Sequence, residues 1–306
     1  MLQLVRVANL RSSVRLLYGH IPGKRHLFRL LRAVYTPSPE LYQHFWFAGL
    51  FSAEMFNTTV IMTNRNSKLE TQLFWGGVEG YEEGHSLRLW AQLCRGASTI
   101  LDIGANTGLF SLVAKAVHPE ATVHAFEPIE RIAQVLQENC EHNRFEIAVH
   151  VAAVSDTDGE AVIYDLPLSH HYVASLHEDE AAHHYGGPAS ELVQRRAPTV
   201  TLARFIEEQQ IARVDLMKVD VEGHEVQVLA GMGAHLHKMQ PTMLLEVKNS
   251  EHASQIGQMF QGCDYQFYDI DERTRPMRID GLRASTFRNI LVCAPDVAHR
   301  LGLDAE

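Results

Sequence analysis

Cysteine is scarce in this chain. Four in 306 residues, Cys94, Cys140, Cys263 and Cys293, form no Cys-x-x-Cys pair. That spacing excludes a disulfide framework and a cysteine-based metal site, and it fits a reducing, cytoplasmic setting. No apolar run approaches the ~18 residues that cross a bilayer. The eighteen histidines include no His-Glu-x-x-His and no standard zinc spacing, and nothing demands a carboxylate-bound Mg²⁺, so no metal is expected. There is no internal repeat and no low-complexity tract. Glycine is also missing where a dinucleotide-binding turn needs it, because no Gly-x-Gly-x-x-Gly occurs before a helix-like run.

Acids are missing from one region only. Residues 1–32 hold seven Lys/Arg (Arg6, Arg11, Arg15, Lys24, Arg25, Arg29, Arg32) and no Asp or Glu, whereas the whole chain has a net charge of −10. An acidic body argues against nucleic acid as a partner. The basic, Leu- and Val-containing arm suits packing on the body, a homo-oligomer contact or a peripheral membrane surface. Its charges interrupt any secretory signal. Residues 1–74 read as a mainly helical, aromatic N-terminal extension, with Tyr42, Phe45, Trp46, Phe47 and Phe51 as core or interface. Thr58–Thr63 is a candidate strand ahead of a polar turn at Asn64–Lys68. The glycine-rich acidic segment Phe74–Glu83 precedes a helix at Ser86–Cys94 and reads as a closing loop or a connector.

Residues 75–306 read as one α/β domain. Seven strand-like runs occur at Thr99–Ile103, Thr122–Phe126, Ile147–Val154, Val214–Val219, Met243–Val247, Tyr265–Tyr268 and Asn289–Cys293. Helix-like runs separate most of them, so the expected fold is a doubly wound, mostly parallel, seven-stranded sheet. Ligands of such sheets lie beyond the carboxyl ends of the strands at the switch point. Residues 165–200 break the rhythm with His170, His171, His177, His183 and His184 and a Gly186-Gly187-Pro188 turn.

The chemistry concentrates at two strand ends. Thr99–Ile103 runs into the turn Gly104-Ala-Asn-Thr-Gly108, with Asp102 just ahead of it. Glu127 closes the next strand about twenty residues on, where an acid accepts hydrogen bonds from ribose hydroxyls. The acid at Asp102 favours a ligand with a cationic part. The second strand end is Lys218-Val-Asp-Val-Glu222, followed by Gly223-His224-Glu225. Alternation along a strand turns Lys218, Asp220 and Glu222 to one side. Lys218, Asp220, Glu222, His224 and Glu246 are the candidates for positioning an acceptor hydroxyl and taking its proton.

Asp102-Ile-Gly-Ala-Asn-Thr-Gly108 with Phe126-Glu-Pro128 resembles the first two cofactor motifs of class I S-adenosylmethionine-dependent methyltransferases. Ala152–Asp156 with Gly159, and Asp215–Glu225, resemble the third strand and signature of the FkbM family, over about residues 75–295. The resemblance implies a Rossmann-like methyltransferase sheet and S-adenosyl-L-methionine as cofactor. It assigns the cofactor to Asp102, Gly104, Asn106, Gly108, Glu127, Ser155 and Asp156, and implies O-methylation of a sugar, polyketide or related small-molecule or glycan acceptor. Two other readings stand beside it, an NAD-dependent oxidoreductase and a non-catalytic S-adenosylmethionine-binding module.

Overall fold

The computed structural model describes residues 23–42, 44–166, 174–185, 189–285 and 289–303. Arg6, Arg11, Arg15, His170, His171 and the Gly186–Pro188 turn lie outside them, as do the side chains of His183 and His184. The described part of the N-terminal extension begins with helix α1 (Lys24–Val34) and a helical turn at Pro39–Tyr42. It is not mainly helical beyond that point. Strands β1 (Ala48–Met55) and β2 (Thr58–Arg65) form an antiparallel hairpin. Phe56 and Asn57 at its tip have φ 51° and 67°, the double positive φ of a tight two-residue turn. Phe51, Ala53 and Met55 alternate inward, a period-2 pattern that overrides the helical reading of this stretch.

Helix α2 (Lys68–Gly76) follows, capped by Ser67 Oγ, which accepts from Glu70 N. The expected boundary at 74/75 falls inside this helix. The Phe74–Glu83 segment is thus the end of α2, a 3₁₀ turn at Gly77–Gly80 and the approach to α3 (Gly84–Cys94). Met62, Leu73, Trp75, Leu87 and Trp90 share one core with Leu112 and Val113 of the next layer. Phe28, Phe45, Phe47, Phe51, Phe74 and Trp75 pack within it in tilted and edge-to-face pairs, with ring centroids 4.5 Å apart at the closest pair, Phe47 and Phe74.

The main sheet is built from β3 (Thr99–Ile103), α4 (Leu109–Val117), β4 (Thr122–Phe126), α5 (Glu130–Asn143) and β5 (Ala148–His150). The chain then leaves it for a smaller sheet of β6 (Ala153–Val154), β7 (Gly159–Asp165), β8 (Ala174–Ser175) and β9 (Val193–Val200), with helix α6 (Glu178–Tyr185) inserted. It returns through α7 (Leu202–Glu208), β10 (Leu216–Val219), α8 (Glu225–Ala230), α9 (Ala234–Met239), β11 (Thr242–Glu246) and α10 (Ser250–Met259). The last elements are β12 (Gln266–Asp269), β13 (Met277–Ile279), β14 (Asn289–Cys293) and α11 (Pro295–Arg300).

Eight strands, not seven, lie in the order β13-β12-β14-β11-β10-β3-β4-β5. The five from β11 to β5 are parallel, and β14, β12 and β13 pair antiparallel. The extra member is three residues long and joins the edge, too short for a periodic signal. The expected run Ile147–Val154 divides between β5 and β6, which belong to different sheets. The segment 165–200, without pattern in the sequence, contains β8, α6 and β9, and β9 pairs with β7 from Gly159↔Thr199 to Asp165↔Val193. From β3 the chain steps outward to β4 and β5, then returns on the other side to β10. The switch point therefore lies between β3 and β10. Asp102 pairs with Lys218 and Ile103 with Val219, so the two motif-bearing strands are neighbours in register.

Candidate functional site

Beyond the carboxyl ends of β3 and β10 lies a cavity of about 1190 Å³. Such a volume exceeds the usual ~300–1,000 Å³ of a small-molecule site. It has room for a nucleoside-sized ligand and a second reactant.

The glycine turn forms one wall. Gly104, Asn106 and Gly108 have φ 79°, 52° and 92°, values at which glycine carries no steric penalty and asparagine a small one. Every N–H from Gly104 to Gly108 is donated within the chain. Gly104 and Ala105 both reach Phe126 O, at 3.0 and 2.9 Å, and Gly108 reaches Ala105 O at 2.8 Å. Asn106 N donates to Glu127 Oε2 at 3.1 Å, and Thr107 N to Asn106 Oδ1 at 2.8 Å. The turn thus offers no amide nest for a diphosphate. Its ligand meets carboxylates instead.

Glu127 is buried and lines the cavity. Besides Asn106 N it accepts Ile129 N on Oε1 at 2.9 Å, which leaves acceptor capacity on each oxygen. Burial, partly offset by these amides, raises its pKa to about 7. Asp102 is fully buried and accepts from Ser111 Oγ on Oδ2 at 2.6 Å. Its Oδ1 accepts no hydrogen bond among the described residues. Burial raises its pKa too, against the opposing charge of Lys218.

The second wall is the end of β10. Lys218 is 3% exposed, donates to Asp220 Oδ2 at 2.7 Å and lies 4.5 Å from the centre of the Phe110 ring. Burial alone would lower its pKa, but the carboxylates of Asp220, Glu83 and Asp102 outweigh burial and raise it. After Val219 the strand breaks, with Glu222 at φ 54° and Gly223 at φ 98°. The Glu222 carboxylate pairs with Lys248, and its backbone oxygen accepts Ser175 Oγ at 2.8 Å.

Of the expected catalytic residues, Lys218, Asp220 and Glu222 line the cavity together, and His224 and Glu246 do not. Both His224 ring nitrogens face protein groups, Ser155 Oγ at 3.0 Å and His177 Nε2 at 3.3 Å. Burial and then His177 push its pKa down to about 4. Glu246 is buried beside Lys248 at 3.3 Å, and burial followed by the charges of Asp220 and Glu222 raises its pKa well above the ordinary value.

Of the expected cofactor residues, Asp102, Gly104, Asn106 and Glu127 line the cavity, and Gly108, Ser155 and Asp156 do not. A Cβ on Gly108 would lie 2.9 Å from Leu136 Cγ, so that glycine serves the packing of α4 on α5. Ala152, Ala153 and Val154 form the wall expected of Ser155 and Asp156. The segments beyond the cofactor motifs also contribute, with Glu79–Glu83 on one side and Ala174–Leu176 on the other.

Two further participants were not singled out as site residues by the sequence, although Glu83 ends the segment read as a closing loop or a connector. Glu83 faces Lys218 and is bonded by Asn289 Nδ2 at 3.1 Å across 206 residues. Glu70, in α2, accepts Thr107 Oγ1 at 2.6 Å. A Ser-x-x-Glu pattern at Ser67–Glu70 was visible, but it points to a local helix cap, not to the turn.

Residues 102–267 match the Methyltransferase FkbM domain. The chain is 33% identical over 158 residues to the 31-O-demethyl-FK506 methyltransferase FkbM of Streptomyces tacrolimicus, an alignment covering 45% of this chain and 60% of that one. It is 28% identical over 164 residues to Methyltransferase 1 of Beauveria bassiana, covering 50% and 66%. The chain therefore spans less than two thirds of the length of either relative. Among solved structures, a methyltransferase FkbM from Methylobacillus flagellatus aligns at 15% identity and a TM-score of 0.40, over 64% of this chain and 44% of that one.

Proposed function

Since the chain belongs to the FkbM family of S-adenosylmethionine-dependent methyltransferases, we propose that it moves a methyl group from that cofactor to a hydroxyl oxygen of a small natural product or glycan. The observation that carries this reading is the turn whose five amides are all satisfied internally while two carboxylates, Glu127 and Asp102, line the cavity beside it. Ribose hydroxyls and an ammonium group are donors, and carboxylates are their natural acceptors. The orphaned Asp102 Oδ1 fits such a ligand. A nicotinamide dinucleotide is less well served, because the turn lacks the middle glycine of the dinucleotide-binding pattern.

Glu127 would hold the ribose and Asp102 the cationic end of the cofactor, with Gly104 and Asn106 beneath. When bound, S-adenosylmethionine supplies an electrophilic methyl on a sulfonium. Lys218 fixes Asp220 through Oδ2, and Asp220 would accept the proton of the acceptor hydroxyl. The buried Lys218 ammonium holds that carboxylate in one orientation, which is the alignment an in-line displacement requires. Oxygen as the acceptor atom draws support from the name of the Streptomyces relative, which specifies a 31-O-demethyl substrate.

The test is transfer from methyl-labelled S-adenosylmethionine into hydroxyl-bearing small molecules and glycans of a cell extract, with the new bond identified by mass spectrometry. A labelled O-methyl product is expected. An N- or C-methyl product, or no transfer by a chain that binds S-adenosylhomocysteine, overturns the reading. Asp220→Asn should lower turnover far more than cofactor affinity, and equal losses in both would remove Asp220 from the proton-accepting role.

A further inference from the structure

Glu70 lies outside the matched segment 102–267, three residues after the cap of α2. In the Ser-x-x-Glu arrangement the glutamate ordinarily reaches back to the capping residue's amide. Here Asn64 Oδ1 takes that amide, Ser67 N, at 3.0 Å. Ser67 Oγ still accepts from Glu70 N at 3.3 Å. The Glu70 carboxylate turns the other way, into the interior, where it is fully buried and accepts the Thr107 hydroxyl on Oε1 at 2.6 Å. Its Oε2 meets no donor among the described residues.

Burying a carboxylate with one oxygen unserved is unfavourable, more so than the modest gain of an acid in the first turn of α2 offsets. What the contact does is complete the restraint of Thr107. The Thr107 N–H is held by Asn106 Oδ1 and its carbonyl accepts Asn139 Nδ2, both at 2.8 Å. Asn139 in turn accepts Thr63 N of β2 at 2.7 Å. With its hydroxyl on Glu70, all three polar groups of Thr107 are fixed, two of them by groups outside the turn. Thr107 directly follows Asn106, the left-handed residue whose N–H holds Glu127 Oε2.

We propose that Glu70 is a positioning residue for the cofactor: by holding the Thr107 hydroxyl it fixes the Asn106 backbone and so keeps Glu127 aimed into the cavity. This rests on the cofactor reading above. It makes the N-terminal extension a part of the cofactor site, although that site's motifs all begin at residue 102.

The experiment measures S-adenosylhomocysteine affinity by calorimetry, with thermal melts alongside, on the full chain carrying Glu70→Ala, Thr107→Val, both together, and Glu70→Gln. Each single truncation should weaken binding about tenfold, the range expected for loss of a charge-assisted hydrogen bond. The double variant should bind no more weakly than the worse single one, because both remove the same contact. Glu70→Gln retains an acceptor oxygen and should bind within about threefold of wild type. A merely structural glutamate would lower the melting temperature and leave affinity alone. Wild-type affinity in Thr107→Val, or losses that multiply in the double variant, overturns the proposal. Should Glu70→Ala not fold, Thr107→Val and Glu70→Gln decide it. A wild-type chain that does not bind S-adenosylhomocysteine overturns the cofactor reading itself, whereas wild-type binding with unchanged variants overturns the role of Glu70 alone.

Discussion

A Cβ added to Gly104 would stand 1.8 Å from the carbonyl oxygen of Asp220. The cofactor turn and the acidic strand end are therefore in backbone contact, and neither motif can move without the other.

Gly104→Ala should be costly on two counts, since φ is +79° there and the opposing atom is backbone, which cannot rotate away. A loss of about 1–3 kcal/mol is expected from the conformational strain alone, together with loss of S-adenosylhomocysteine binding. Denaturant unfolding and calorimetry check both. A variant with wild-type stability and affinity would remove the turn from the site.

Glu127→Ala removes the acceptor of Asn106 N and Ile129 N as well as the proposed ribose partner. Cofactor affinity should fall by about 1–3 kcal/mol, as for loss of hydrogen bonds to a charged group. Unchanged calorimetric affinity would refute the ribose assignment.

Glu225→Gln should stabilise the chain in a pH-dependent way. The carboxylate is fully buried and accepts Gly223 N at 3.1 Å and Val221 N at 3.2 Å on a single oxygen, Oε1. Burial, against those amides, raises its pKa to about 7. The unfolded chain releases this proton near ~4.5. Between those values the folded chain holds a proton that the unfolded chain has lost, so this group's contribution falls as pH rises and is lowest above 7. Glutamine keeps the accepting oxygen and does not titrate. The stability difference, variant minus wild type, should therefore grow from pH 4.5 to 7 and then level off, on the order of 3 to 4 kcal/mol. Melts across pH 4.5–8 read it directly, and a difference independent of pH would contradict the assignment.

Lys218→Met should destabilise the chain by about 3–5 kcal/mol at neutral pH, because it leaves buried carboxylates without their cation. Adding Asp220→Asn should recover part of that loss, since the two residues are coupled. Denaturant unfolding of the two single variants and the double one measures the coupling. Strict additivity would mean that the 2.7 Å pair contributes nothing.

The parallel half of the sheet was legible because its strands are short, apolar and set off by periodic helices. Ile100, Leu101 and Ile103 read as a buried strand and are one. Of the hairpin Ala48–Arg65 only the second strand was legible, as the candidate strand Thr58–Thr63; the first was not, because the tip, Phe56-Asn57, lacks glycine and the dense aromatic residues just ahead of it, Tyr42 to Phe47, mimic a helical face. At the site, Asp102, Glu127, Lys218 and Asp220 could be found because each ends a recognisable strand. Glu70 could not, and Glu83 only as the end of a candidate closing loop, since their partners lie 37 and 206 residues away and side-chain contacts at such separations leave no periodic trace. His224 was misleading for the opposite reason. It follows a conspicuous motif, but the strand has already broken at Glu222 and the imidazole turns toward Ser155 and His177.

The closed set of hydrogen bonds in the Gly104–Gly108 turn also bears on the rhythm of turnover. A loop that waits for its ligand to satisfy its amides loses conformational freedom at each binding event and regains it at each release. This turn lost that freedom once, when the chain folded. On the proposed function, fresh donor and demethylated product should therefore exchange over a wall that does not rearrange. The heat-capacity change of binding should then scale with the surface the ligand covers, with no added term for ordering of the loop.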